Sequence, residues 1–246
     1  EQFGTLETLH PGRIDLGLGR APGTDEKTLY ALRRDPRSAE RFPYDVQELQ
    51  GYLTGRSLIQ GVDATPGKGT HVPLYILGSS LFGAKLAAAL GLPYAFASHF
   101  APDALQDAVA LYRREFQPSE QLDRPYVIAA VNVIAADTEE EAQRQLRIVK
   151  RQRVKWLLGR GQTITDEQAD EILASPHGRQ VEHMLRYAAV GTPAAVAEYL
   201  DWFTGHADAD ELIVAHQSPT IEQRLRSVEL LADGTGLATS DRSLDS

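Results

Sequence analysis

The stretch VPLYILGSSLFGAKLAAALGLPYAFAS (72–98) predicts a strand, a helix and a second strand in immediate succession. Residues 72–78 are continuously apolar, which is typical of a strand that is covered on both faces. Ser79 and Ser80 precede the predicted helix and Gly91 follows it, in agreement with the residue types that helix ends prefer. Two successive strands joined by a helix pair in parallel, so this stretch indicates an α/β fold.

The same alternation continues on both sides of this stretch. Alternating or continuous apolar runs predict further strands at 13–19, 125–137 and 211–216. Helical spacing of apolar residues predicts the helices that flank or separate the strands, at 1–9, 43–53, 102–116, 138–159, 166–174, 178–189, 193–204 and 219–233. About five strand–helix units are counted in this way, and they favour a parallel sheet, either a closed TIM-type β/α barrel or an open doubly wound sheet.

The composition excludes several classes of function. The 246 residues carry 25 Lys and Arg against 34 Asp and Glu, a net charge of -9, which argues against a nucleic-acid surface. No cysteine is present, which excludes thiolate metal sites, and no HExxH zinc motif occurs. No apolar run approaches the roughly 20 residues that cross a bilayer. We therefore expect a cytoplasmic protein without a metal, a nucleic-acid partner or a membrane partner.

The densest basic run is RIVKRQRVK (147–155), within the long helix predicted at 138–159. It follows the acidic residues 139–141 of the same helix, an order that suits the helix dipole. We interpret the run as a solvated helix face, with an anion or partner site as the minority interpretation.

Polar side chains at two predicted strand ends point to an anion site. Arg20 directly follows the strand predicted at 13–19, and Gly78, Ser79 and Ser80 lie where another strand turns into its helix. In parallel α/β folds, the carboxyl ends of the strands hold the functional groups. The unpaired N–H groups of the helix start, two hydroxyls and a guanidinium together suit a phosphate. A salt bridge for the arginine and simple helix capping for the serines are the structural alternatives.

Two histidines also lie at predicted strand ends. His99 comes after the strand at 92–98, and His216 ends the strand at 211–216. Either imidazole could polarise a ligand atom or transfer a proton, although a histidine bonded to backbone is the more common case. The sequence assigns no catalytic residue. A phosphate-binding site without an evident nucleophile, metal or acid–base pair is typical of an enzyme whose cofactor carries out the chemical reaction.

Four segments resemble parts of a known family. HPGRIDLGLGRAPGTD (10–25) and VPLYILGSSLFGAKLAAALGLPYAFASHFAP (72–102) closely resemble segments of the bacterial luciferase-like monooxygenase family. VGTPAAVAEYLDWF (190–203) and QRLRSVELLA (223–232) are similar to its carboxyl-terminal part. The resemblance implies a TIM-type β/α barrel and a flavin-dependent oxidoreductase.

The resemblance also implies a cofactor, its contacts and its partners. Members of the family use reduced FMN and dioxygen to oxygenate an organic substrate, and a separate flavin reductase is a possible partner. Arg20 and Ser79 match a family arginine and serine at the flavin phosphate, with Gly78 and Ser80 beside that serine. The luciferases of the family have a carboxylate where Gly78 stands. Relatives commonly dimerise, so we expect a homodimer.

The family pattern sets the expected boundaries. Residues 1–234 are predicted to form the luciferase-like barrel domain, and residues 235–246 a polar C-terminal tail. In the family, the segment HPGRIDLGLGR is the fourth strand of eight. The resemblance therefore implies that three strands lie upstream, in a protein of roughly 350 residues.

Three alternatives to a flavin-dependent monooxygenase stay open at this point. One is a non-catalytic flavin-binding relative, and another is an enzyme of a related branch that transfers hydride with a deazaflavin coenzyme. The third is a TIM-barrel lyase or isomerase that holds a phosphorylated substrate through the same arginine and serines. An absorbance band of bound flavin would count against the third.

Overall fold

The computed structural model describes residues 1–21, 26–33, 35, 39–159 and 163–235. Most of the predicted polar tail, 236–246, lies outside the described residues, and the domain boundary after residue 234 stays a prediction. The chain divides into two units, which we call unit 1 (Glu1–Phe96 and Asp107–Val127) and unit 2 (Ala97–Gln106 and Ile128–Ser246).

Strands and helices alternate along much of the described chain, as the sequence predicts. The strands are β1 (Leu16–Gly19), β2 (Leu74–Gly78), β3 (Tyr94–Phe96), β4 (Val127–Ala135), β5 (Ala188–Gly191) and β6 (Glu211–His216). The helices are α1 (Gln2–Leu9), α2 (Glu26–Ala31), α3 (Phe42–Thr54), α4 (Leu81–Leu90), α5 (Leu105–Glu115), α6 (Glu139–Leu158), α7 (Asp166–Ala174), α8 (Gly178–Met184), α9 (Pro193–Ala207) and α10 (Ile221–Gly234).

Unit 1 contains three parallel strands in the order β1-β2-β3. In β2 the side chains of Leu74 and Ile76 are buried, whereas Leu77 is 42% exposed. The prediction that both faces of this strand are covered is therefore wrong. The reason lies in β1, because Gly17 and Gly19 stand beside Leu77 and contribute no side chain that would cover it.

The helix α4 connects β2 to β3 as the sequence predicts. Gly91 ends this helix in the left-handed conformation, with a φ of 62°. On the inner side, a Cβ at Gly83 would lie 3.2 Å from the ring of Tyr94 in β3, so glycine favours this close approach of helix and strand. The start of α4 is thereby held directly against the buried part of unit 1.

Unit 2 is built around β4, which belongs to this unit from Ile128 onward, and all nine residues of the strand are buried. Both β5 and β6 pair with β4 in parallel. The helix that follows β4 begins at a regular cap, because the side chain of Thr138 accepts a hydrogen bond from the N–H of Glu141. The apolar run at 125–137 therefore predicts both the strand and its burial correctly.

One element of unit 2 departs from the sequence prediction. The pattern at 178–189 predicts a single helix, but α8 ends at Met184 and β5 begins at Ala188. The alanines of β5 favour a helix by intrinsic preference. Their backbone instead pairs with Asn132 and Val133 of the buried strand β4. Pairing with a buried strand outweighs local preference here.

The described residues form six strands, where about five were counted from the sequence. A TIM-type barrel closes with eight strands, so these six do not close a barrel. Among the described helices, none combines the length and the apolar character needed to cross a membrane.

Candidate functional site

Arg20 and Ser79 lie at the same edge of the unit 1 sheet. The strands β1 and β2 run in parallel, and Gly19, the last residue of β1, pairs with Leu77. Arg20 directly follows Gly19, and Ser79 comes two residues after Leu77. The carboxyl ends of the two strands therefore bring a cation and a hydroxyl to one edge, as expected for parallel strands.

The guanidinium of Arg20 is held against the first turn of α4. Its central carbon lies 4.0 Å from the ring centroid of Phe82, a cation–π contact. Phe82 is the second residue of α4, so the positive charge lies near backbone N–H groups that have no partner within the helix. Within the described parts of the chain, Arg20 forms no ion pair with a carboxylate. The salt-bridge alternative finds no support there.

The two serine hydroxyls do not cap the helix. Ser80 occupies the N-cap position with extended backbone, but its side chain makes no capping hydrogen bond. Among the residues that the structure describes, neither Ser79 nor Ser80 makes another side-chain hydrogen bond. Ser79 is half-buried and Ser80 is exposed. Both hydroxyls thus keep their full capacity to bind a ligand.

Tyr94 supports this helix start from the core of unit 1. Its hydroxyl donates a hydrogen bond of 3.0 Å to the carbonyl oxygen of Ser80. Burial raises the pKa of the Tyr94 phenol above its usual range, so the hydroxyl stays protonated and continues to donate. Sequence analysis missed this residue, because the contact joins positions 14 apart in the chain and leaves no local signal.

Gly78 has no steric need to be glycine within the described residues. A Cβ at this position would make ordinary contacts of 3.6 Å with Gly83 and with the ring of Tyr94. That a ligand approaches the backbone at Gly78 stays a prediction.

The edge formed by Arg20, Ser79, Ser80 and the first turn of α4 fits a phosphate. A guanidinium and hydroxyls donate hydrogen bonds to phosphate oxygens, and the helix dipole favours negative charge at the same place. We call these groups the phosphate edge. Across the described residues, no group of three or more His, Asp or Glu side chains could hold a metal ion.

His216 belongs to a hydrogen-bonded group in unit 2. The hydroxyl of Ser227 accepts from the backbone N–H of Ala135 at 2.9 Å and lies 2.7 Å from Nδ1 of His216. The bonding is complete when the serine donates to Nδ1, which places the ring proton on Nε2. Burial lowers the pKa of His216 and so favours this neutral ring. The arrangement explains the histidine structurally.

The basic run at 147–155 is not a uniformly solvated face, which corrects our interpretation of it. Three of its cations form ion pairs with carboxylates of α7 and α8, namely Lys150 with Glu182, Arg151 with Asp166 and Asp170, and Lys155 with Asp166. Arg153 is half-buried instead, and its guanidinium lies 3.4 Å from the side-chain oxygen of Gln217. The sequence does contain a signal for the burial of Arg153, because a residue four positions after Val149 lies on the same helix face, and Val149 is buried.

His99 lies in unit 2, in the chain that follows β3. The side-chain amide of Asn132 donates a 2.6 Å hydrogen bond to the backbone carbonyl of His99. The ring is half-buried, and its Nδ1 is buried without a hydrogen-bond partner among the described residues. Burial lowers the pKa of His99, and the charge of Arg153 lowers it further, so these two side chains are close. A role in proton transfer stays a prediction.

The family model described as luciferase-like monooxygenase matches residues 1–205 of this chain. A protein of Escherichia coli strain K12 that is named luciferase-like monooxygenase is 44% identical over 238 residues, which is 95% of this chain and 70% of that protein. The protein YvbT of Bacillus subtilis strain 168 is also 44% identical, over 236 residues, with the same two coverages of 95% and 70%.

Solved structures share the fold. Apo-MsnO8 gives a TM-score of 0.79 at 31% identity and covers 96% of this chain and 71% of its own. Two are more distant. The oxygenating constituent of 3,6-diketocamphane monooxygenase of Pseudomonas putida, solved with FMN, gives a TM-score of 0.61 at 15% identity. The match covers 95% of this chain and 73% of that chain. The coenzyme F420-dependent tetrahydromethanopterin reductase of Methanopyrus kandleri gives a TM-score of 0.63 at 17% identity, and the match covers 96% of this chain and 77% of that chain. The predicted TIM-type β/α fold class is confirmed.

Proposed function

This chain belongs to the luciferase-like monooxygenase family, and we propose that it acts as a monooxygenase that uses reduced FMN and dioxygen to oxygenate a small organic substrate. Membership of the family supports oxidoreductase chemistry. The observation that carries the cofactor assignment is the phosphate edge, where Arg20 meets the first turn of α4. FMN has a phosphate at the end of its ribityl chain, which is the group that such an edge binds.

The residues of the phosphate edge have distinct tasks in this proposal. Arg20 supplies the positive charge and two-point donation, while Ser79 and Ser80 supply hydroxyl donors beside the N–H groups of α4. Tyr94 orients the helix start through the carbonyl of Ser80. Reduced flavin, when bound, supplies the electrons with which dioxygen is activated. The chain thus contributes binding and orientation of the cofactor through residues whose own chemistry is unreactive.

A deazaflavin-dependent enzyme that transfers hydride is the second candidate. It is supported by the fold that this chain shares with the F420-dependent reductase. Membership of a monooxygenase family favours FMN and also argues against the lyase and isomerase alternatives. A separate flavin reductase, a homodimeric state and a cytoplasmic location are parts of the proposal that rest on the family resemblance and on composition.

A flavin titration of the purified protein tests the phosphate edge. Arg20→Gln removes the charge and the fork, so we expect FMN affinity to fall about 10- to 100-fold, the range for a lost charge-assisted hydrogen bond. Riboflavin, which lacks the phosphate, should bind the variant and the wild type equally well. Arg13→Gln is the matched control, because Arg13 is an exposed arginine just before the same strand, and it should leave both affinities unchanged.

The outcomes separate the candidates. An equal loss of FMN and riboflavin affinity in Arg20→Gln, or no loss at all, would contradict the phosphate contact. Tight binding of coenzyme F420 with negligible binding of FMN would replace the favoured function with the second candidate. Oxygen consumption that depends on reduced FMN and on an added organic substrate would support the monooxygenase assignment over a non-catalytic flavin-binding role.

A further inference from the structure

Arg153 is a half-buried cation in unit 2 that lacks an acidic partner in the described part of the chain. Its hydrogen bond there is the 3.4 Å contact to the neutral side chain of Gln217, which is long for a charged donor. Burial lowers the pKa of Arg153, and the contact to a neutral amide does little to offset that desolvation. Charges that are withdrawn from water are favoured when they are paired, so this partly buried guanidinium is suited to pair with a bound anion.

Two further polar atoms, one close to Arg153 and one in the residue that follows its partner Gln217, have no hydrogen-bond partner among the described residues. One is Nδ1 of His99, whose ring is close enough to be affected by the charge of Arg153. The other is the hydroxyl oxygen of Ser218, which follows Gln217 in the chain and is only 2% exposed. Native structures leave few buried polar atoms unpaired, and each calls for an explanation. A bound ligand with acceptor oxygens would account for both.

The backbone holds these groups in place at the end of β4. The N–H of Gln217 donates to the carbonyl of Val133, two residues before that strand ends. On the other side, the amide of Asn132 donates to the carbonyl of His99. Both loops are therefore fixed to the same part of a fully buried strand, and the cluster is a built feature of unit 2 rather than a set of mobile surface groups.

We propose that Arg153, His99, Gln217 and Ser218 form an oxyanion site that binds the carboxylate of an organic acid. That this oxyanion site is the substrate site rests on the function proposed above. If it is, the substrate of the monooxygenase is an organic anion. The charge of the cluster favours a carboxylate over a phosphate, because one full positive charge with neutral donors matches one negative charge. A phosphate monoester carries nearly two negative charges at neutral pH.

Titration with benzoate and with benzamide, its neutral isostere, tests the site directly. The wild type is expected to bind benzoate saturably and benzamide at least tenfold more weakly. Arg153→Gln should lower benzoate affinity about tenfold or more and leave benzamide binding unchanged. Arg147→Gln is the matched control, since Arg147 is an exposed arginine of the same helix, and it should bind benzoate as the wild type does. Ligand-observed NMR and calorimetry provide the dissociation constants.

The outcomes decide the proposal without relying on activity. No saturable benzoate binding by the wild type, or equal affinities of Arg153→Gln and Arg147→Gln, would overturn it. If Arg153→Gln folds poorly, Arg153→Lys keeps the charge but loses the planar fork, and a severalfold loss is expected from that variant. Unchanged benzoate affinity in Arg153→Lys would also count against the site.

A final comparison separates this site from the cofactor proposal. Benzoate affinity should be the same with and without saturating FMN, whereas competition would identify the anion as the flavin phosphate and overturn the substrate assignment. If the protein binds benzoate through Arg153 but binds no flavin, the proposed function fails while the oxyanion site stands. If the protein binds FMN through Arg20 but binds no benzoate, the oxyanion site fails while the proposed function stands.

Discussion

Ser79 in unit 1 directly follows strand β2, whereas Ser227 in unit 2 lies in helix α10 and its hydroxyl reaches the ends of β4 and β6. Both hydroxyls are thus near strand ends, but they are used differently. Ser227 is buried and bonds both to the backbone of β4 and to the ring of His216 at the end of β6. Ser79 is half-buried, and its hydroxyl makes no hydrogen bond within the described residues. The hydroxyl of Ser227 is therefore fully used in hydrogen bonds within the fold, whereas the hydroxyl of Ser79 can bind a ligand. Both residues are serines whose hydroxyls lie near strand ends, so it is the hydrogen bonding of the hydroxyl that distinguishes the structural group from the one that can bind a ligand.

The largest effect is expected from Ser227→Ala. This change leaves the N–H of Ala135 and Nδ1 of His216 unpaired, and it should lower the free energy of unfolding by about 2–3 kcal/mol. Ser79→Ala should lower it by no more than about 0.5 kcal/mol, because no bond is lost. Urea denaturation of both variants measures the difference. Equal losses of stability would break the comparison, as would unchanged FMN affinity in Ser79→Ala.

A smaller effect is expected from Tyr94→Phe, which links the core of unit 1 to the phosphate edge. The variant loses the hydrogen bond to the carbonyl of Ser80, and since Ser80 is exposed, water can replace the donor. We expect a loss of about 1 kcal/mol in the free energy of unfolding and a severalfold loss of FMN affinity. Denaturation and flavin titration measure the two. A stability loss with unchanged FMN affinity would show that Tyr94 does not orient the helix start.

The smallest effect concerns pH and His216. Its pKa in the folded state is lower than the 6.5 of an ordinary histidine, so the unfolded chain binds the proton first as the pH falls. The contribution of the neutral ring is complete above pH 6.5 and is lost as the pH falls from 6.5 toward the folded pKa. Because the ring is only half-buried, screening limits the loss to below about 1 kcal/mol.

Urea denaturation at several pH values between 7.5 and 5 measures this slope. His216→Asn should flatten the slope only in part, because the pKa of His99 is lowered in the same direction. A slope of opposite sign in the wild type would show that these rings are charged in the folded protein.

The sequence predicts the elements whose patterns are local. The buried strand β4, the helix α6 with its acidic first turn, and the glycine that ends α4 all follow from apolar runs and capping residues. It predicts the position of Arg20 and Ser79 at strand ends for the same reason. The failures involve partners far apart in the chain. Strand β5 forms because β4 is there to pair with, and helical preference alone cannot reveal that.

The site shows the same limit. The stacking of Arg20 on Phe82 and the support of Ser80 by Tyr94 join separate elements, so neither contact has a sequence pattern. Charge clustering at 147–155 was misleading for Arg153, because this one half-buried cation lies within a few residues of paired surface cations. The apolar neighbours Val149 and Val154 carry the better signal there, since they mark which side of α6 is buried.

The ring of Phe82 has a consequence for how tightly an anion is bound. A free arginine on a surface samples many rotamers, and a ligand must freeze them at a cost of roughly 2 kcal/mol. The aromatic face restricts this arm beforehand while accepting none of its five N–H donors as a conventional hydrogen bond. An arriving phosphate therefore meets a donor set whose ordering was completed when the chain folded, and less of the binding free energy is spent on holding the arm still.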